Sequence, residues 1–166
     1  MAIYGAIHIS SPFNEENVEY DYLGTNSAAL TAGDPLTVTS NHLLVAGNSD
    51  PVVGIAVKTQ TLTSSNVGTA NVSPGYIPIG QNDLFLMGCN TALTSTAANA
   101  GSYCKLTANT TATVQVDTSN TARTGADRVV QIMKVDPFNE GGATNGLLKV
   151  IVRFVKTPYT NLEITS

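Results

Sequence analysis

An all-β fold, an antiparallel β-barrel or β-sandwich core preceded by an extended N-terminal arm, is what this 166-residue sequence predicts. Three observations carry the prediction. Apolar and polar residues alternate at period two from end to end, and no stretch sustains a 3.6-residue period over three turns. Gly, Pro, Asn, Asp and Ser punctuate the alternation where turns are needed. About nine to ten short strands at such spacing suit a barrel or a sandwich.

The first 27 residues read as the arm: Glu15, Glu16, Glu19 and Asp21 interleave with Phe13, Tyr20 and Tyr22, and Tyr4 stands upstream. Charged, aliphatic-poor termini solvate well, yet aromatics anchor interfaces. Tyr4, Ile7, Phe13, Tyr20 and Tyr22 are therefore the candidate contact residues.

Residues 28–156 form the expected core and 157–166 a tail. In LTVTSNHLLVAG, Leu36 and Val38 alternate with Thr37 and Thr39, and Ser40-Asn41 makes a turn before Leu43 to Val45. In DPVVGIAVKTQ, Val53, Ile55 and Val57 share one face, and Gly54, Ala56 and Lys58 the other. YIPIG and DLFLMG are expected to be a further pair of strands joined through a tight Gly80 to Asp83 turn. Pro78 cannot donate to a ladder, which places its strand at an edge. TATVQVDT contributes Val114 and Val116, and RVVQIMKV sets Val130, Ile132 and Lys134 against Val129, Gln131, Met133 and Val135. GLLKVIVRFVK is the clearest strand: Leu148, Val150, Val152 and Phe154 on one face, Lys149, Ile151, Arg153 and Val155 on a mixed one. Such a sheet has one solvated or subunit-facing side. The tetrapeptide PFNE occurs at 12–15 and 137–140, each time after a short alternating apolar segment; it reads as one strand-ending turn used twice, not as a repeat.

One domain is expected at this length, able to bury about two thirds of the surface its unfolded chain exposes. Charged residues make up 12%, about half the roughly 25% usual in soluble proteins. So little charge protects a monomer weakly against self-association, and the chain is expected to live in an assembly. Residues 1–57 hold six acids and no Lys or Arg, whereas 58–166 hold six acids and all eight bases. No clustered basic footprint marks a nucleic-acid binder, and no window approaches the length of a membrane span. MAIYGAIHIS lacks the basic and apolar regions of a signal peptide. Synthesis in a reducing cytoplasm follows as an expectation, with Cys89 and Cys104 free and buried unless adjacent strands and later oxidation let them pair.

Motifs for catalysis or metal binding are missing: no G-x-S-x-G, H-E-x-x-H, phosphate-binding glycine loop, EF-hand loop or C-x-x-C occurs. No enzymatic activity, cofactor, metal site or catalytic residue is expected. His42 near Asp34 reads as a turn histidine beside a turn aspartate, Asp50-Pro51 and Asp136-Pro137 as turn initiators. Arg123, Asp127 and Arg128 read as solvated loop charges, or more sharply as a salt-bridging contact to a partner.

Ala29 to Gln60 resembles the opening module of the small head decoration, or cement, proteins of tailed bacteriophages. Gly33, Asp34 and Pro35 lead into a strand there, and Val52 to Ala56 supply a second strand after a short polar turn. The end is similar too: Tyr103 to Leu106, then Val-Gln-Val-Asp-Thr, then Asp136-Pro137, a glycine-rich turn and a strand closing on Val152-Arg153-Phe154. The acidic leader and the Thr-rich stretch 59–75 depart from the pattern. The resemblance implies a β-barrel or β-tulip, a homotrimer or a dimer, and a place on the outer capsid surface of a virion after synthesis in the host cytoplasm. Its partners would be the major capsid protein and copies of itself, with no nucleic acid and no membrane. The rival expectations are another virion β-module, such as a head fibre base or tail-tube subunit, and a carbohydrate-binding module, which the lack of Trp disfavours.

Overall fold

Thirteen strands and one 3-10 turn make up the computed structural model, which describes residues 7–10, 23–24, 29–40, 42–61, 75–80, 82–90, 100–107, 114–121, 125–135 and 149–158. In chain order these are β1 (Ile7–Ser10), β2 (Leu23–Gly24), β3 (Ala29–Leu30), β4 (Pro35–Thr39), β5 (His42–Val45), β6 (Gly54–Ala56), β7 (Gln60–Thr61), β8 (Tyr76–Pro78), β9 (Leu84–Gly88), β10 (Tyr103–Leu106), β11 (Val116–Thr121) and, after the 3-10 turn Gly125–Asp127, β12 (Val130–Val135) and β13 (Lys149–Phe154). The described part is β-rich without α-helix, as the period-two pattern predicts.

The strands form a six-stranded sheet in the order β1-β9-β13-β12-β10-β11, a five-stranded sheet β2-β5-β4-β6-β8, and a two-stranded ribbon β3-β7. All pairings are antiparallel except β2 with β5 and an isolated parallel bridge between Cys89 and Val116. Neither large sheet closes on itself among the described strands, so the barrel alternative is not realised there. A single buried cluster draws on both sheets, from Leu36, Leu43 and Tyr76 on one to Phe85, Ile132, Val152 and Phe154 on the other. Within it the rings of Phe85 and Phe154 meet edge to face at 5.3 Å.

Local chemistry accounts for most elements. Ser40, at φ 51°, turns the chain between β4 and β5, whose register sets Leu36 opposite Val45 and Val38 opposite Leu43. β8 lies at the edge of its sheet, where Pro78 needs no ladder donor. Along β13 burial alternates strictly, with Val150, Val152 and Phe154 inward. β12 and β13 pair directly, the hairpin expected around the second PFNE, and both copies follow a strand end, at Ser10 and at Val135. The PFNE residues themselves, and the long polar stretches 62–74 and 91–99, lie outside the described residues.

Two expectations need correction. β8 and β9 are strands joined by the Gly80 to Asp83 turn, but they belong to different sheets: the turn carries the chain from one sheet to the other. β6 is buried on both sides, Gly54 and Ala56 as well as Ile55, and Tyr76 covers Gly54. Lys134 does not share the inward face of Val130 and Ile132. β12 carries a β-bulge at Met133, where Ile132 opposes Val152 but Lys134 opposes Ile151. The extra residue moves the ammonium outward, sparing the cost of burying an unpaired charge.

Candidate interaction surface

Three turns share one construction. In Thr31–Asp34, Gly47–Asp50 and Gly80–Asp83, the Asp amide donates to the first residue's carbonyl at 2.9, 3.0 and 3.3 Å. Each Asp Oδ2 in turn accepts the first residue's amide, at 2.8, 3.1 and 2.8 Å. Asp50 thus closes its turn instead of initiating it, Asp34 is a turn aspartate as expected, with Pro35 beginning β4 after it, and Asp136 lies outside the described residues. Burial pushes the Asp34 carboxyl above the usual carboxylate range, while backbone donors at Thr31 and Val114 pull the other way. His42 stands across from Thr39, at the far end of β4 from Asp34, and its Nδ1 contacts the Ser40 carbonyl at 2.8 Å. The two residues are not brought together.

A second polar cluster joins distant parts of the chain. Lys156 Nζ donates to the carbonyls of Ser49 at 2.6 Å and Ala126 at 2.8 Å, and Ser49 Oγ donates to Asp127. Serine, lysine and aspartate in one place invite a catalytic reading, but two of the ammonium's donors are engaged by carbonyls and the hydroxyl is engaged by the carboxylate. The cluster is a clamp between two turns and the end of β13. Asp127 is held within the chain by Ser49, and Arg128 lies 4.9 Å over the Tyr103 ring, so neither is simply a solvated loop charge. Arg123 lies outside the described residues.

Cys89 and Cys104 are free and buried, as the reducing-compartment reading expects. Burial, and for Cys89 the neighbouring Cys104, pushes the Cys89 thiol up to about 12; burial and then the Asp117 carboxylate push Cys104 up to about 11. Such thiols are poor nucleophiles. Among the described residues no three of His, Cys, Asp and Glu gather as metal ligands, and no helix is long and apolar enough to cross a membrane.

What remains is surface. The strands of the five-stranded sheet and of the ribbon carry no Asp, Glu, Lys or Arg. Those of the six-stranded sheet carry four bases, Lys105, Lys134, Lys149 and Arg153, against one acid, Asp117. Lys105, Lys149 and Arg153 alternate with buried neighbours and so point outward, and the bulge adds Lys134 beside Ile151. Across the outer face, register aligns Lys134, Ile151 and Leu86 in one row, Lys149 with Gly88, and Gln131 with Arg153, whose Nε donates to the amide oxygen at 2.9 Å. The exposed large apolar side chains of the described residues, Met133 at 41% and Val135 at 37%, sit at the same end.

Of the contact residues expected from the arm, Tyr4, Phe13, Tyr20 and Tyr22 lie outside the described residues. Ile7 belongs to β1, opposite Leu86 at the edge of the six-stranded sheet. The mixed face of Lys149, Ile151, Arg153 and Val155 was legible in the sequence; Met133 and Lys134 were missed, since a bulge breaks the alternation that would have found them. Matched against protein-family models, curated proteins and solved structures, the chain finds no counterpart.

Proposed function

We propose that the chain is a structural decoration protein of a tailed-phage head, which binds the outer surface of the major capsid protein lattice and bridges neighbouring capsomers. The observation that carries this reading is the division of surface: one charge-free sheet and one basic sheet enclose a single apolar core, while the described polar clusters are spent on holding turns. The described part of such a molecule offers faces for contact. It acts without catalysis, metal or cofactor, and without nucleic acid or membrane as partner.

The turn at Gly33-Asp34-Pro35 feeds β4, and β6 lies within Val52 to Ala56, so the two parts of the decoration-protein resemblance stand beside each other in one sheet; this supports the reading. In finer detail, we take the two sheets as the layers of a tulip-like β-sandwich spanning 28–156, followed by the tail 157–166. Residues 1–27 serve as the contact arm, tethered to the core through β1 and β2, with Tyr4, Ile7, Phe13, Tyr20 and Tyr22 as anchors. A homotrimer, ahead of a dimer, multiplies weak contacts on a repeating shell into firm attachment.

Co-sedimentation with expanded, undecorated capsids tests this. The full chain should sediment with them, and the variant lacking residues 1–22 should stay folded and bind more weakly. Capsid occupancy unchanged by the deletion would remove the arm; no sedimentation of the full chain would overturn the function.

A further inference from the structure

We propose that the outer face of the six-stranded sheet is a docking surface for the acidic, aromatic stretch Phe13–Tyr22 of a second copy of this chain. The inference rests on the reading that the protein associates with itself, and stands apart from the identity of any shell it covers.

Charge complementarity carries it. The stretch FNEENVEYDY holds four acids and no base, and over its last five residues Val18, Tyr20 and Tyr22 alternate with Glu19 and Asp21. Extended, such a segment presents apolar groups along one side and carboxylates along the other. The sheet offers the matching order: Lys134, Lys149 and Arg153 frame Leu86 and Ile151, with Met133 exposed at the rim. Opposed charge fixes register and speeds encounter, while desolvated aromatics supply most of the affinity.

A second copy, and not the stretch's own core, is the assigned occupant, because charged residues at 12% protect a monomer weakly against self-association. β1 runs from Leu86 towards Leu84, so its chain departs at the Leu84 end of β9. The row of Lys134, Ile151 and Leu86 and the pair of Lys149 with Gly88 lie towards the opposite end, and Arg153, beyond the pair of Val152 with Phe85, lies towards the Leu84 end. Leu23 lies opposite His42, on the edge of the other sheet. A stretch that leaves one copy and docks on the face of another makes a head-to-tail contact. Such a contact closes into a ring or extends into a filament.

Light scattering on size-exclusion fractions of the full chain and three variants tests the proposal. Lys149→Glu with Arg153→Glu inverts the face, and Glu15→Lys with Glu16→Lys and Glu19→Lys inverts the stretch. Wild type should elute as an oligomer that loosens with salt, each inverted variant should dissociate at least about tenfold more readily, and all five changes in one chain should restore the oligomer. Restoration excludes misfolding as the cause of dissociation. A monomeric wild type, or an oligomer indifferent to either inversion, would overturn the proposal. So would inversions that alter only the unfolding temperature of a monomer, since that is docking within one chain. Capsid binding that persists in these variants would leave the decoration reading standing while the docking surface falls.

Discussion

The ring of Tyr76 occupies the space that a side chain at Gly54 would need: a Cβ built there falls 2.2 Å from Tyr76 Cδ2 and 2.6 Å from the Ile77 carbonyl oxygen. Gly54 and Tyr76 belong to neighbouring strands of one sheet, so this contact lets β8 lie flat against β6 with Tyr76 fully buried. Gly54→Ala must displace backbone as well as ring. We expect it to lower stability by about 1–3 kcal/mol, a fall of about 2–4 °C in Tm per kcal/mol at this chain length. Thermal unfolding unchanged by the substitution would show that the sheet adjusts without cost.

The Lys156 clamp predicts a different loss. Lys156→Met keeps the apolar stem and removes the donors to Ser49 and Ala126. A cost of about 1–3 kcal/mol is expected for hydrogen bonds from a charged, half-buried donor, read as a lower denaturation midpoint. Ser49→Ala, which spares both ammonium contacts, should cost less. Equal stability of Lys156→Met and wild type would mean that the clamp is idle.

Buried thiols give a pH signature. Well below about 8.5 both cysteines are protonated whether the chain is folded or not, and stability is indifferent to them. As pH rises from there towards 11, the unfolded chain releases thiol protons that the folded chain retains, so stability falls. Replacing Cys89 and Cys104 together with Ala should flatten that part of the decline. At pH 8 a disulfide reagent should label the native protein slowly and the unfolded protein at once; rapid native labelling would contradict the burial.

Met133 is the extra residue of β12, and beyond it the strand pairs only with β13. Deleting it leaves Lys134 opposite Ile151 and Val135 opposite Val150. The deletion should therefore be tolerated with a smaller loss of stability than Gly54→Ala, although it falls inside a strand. Loss of folding would show that the bulge does more than re-aim Lys134.

How far the fold was legible depended on how local its causes are. The β4 and β5 hairpin, the edge position of β8 and the inward face of β13 follow from residues within a few positions of one another, and the sequence sufficed. The partner sheet of β9 did not follow: a tight turn is the same whether the next strand pairs back or crosses a layer. Likewise Ser49 and Asp127 lie 78 residues apart and Ser49 and Lys156 lie 107 apart, distances at which no pattern links them. The basic outer face was half visible, as the mixed side of β13, and became a surface only when β9 and β12 were laid beside it.

The most direct test of the central claim is sedimentation of the full chain with expanded, undecorated capsids, followed by a count of copies per major capsid protein. The account predicts saturable binding at a fixed ratio set by the lattice. Protein that stays in the supernatant at every concentration would contradict it.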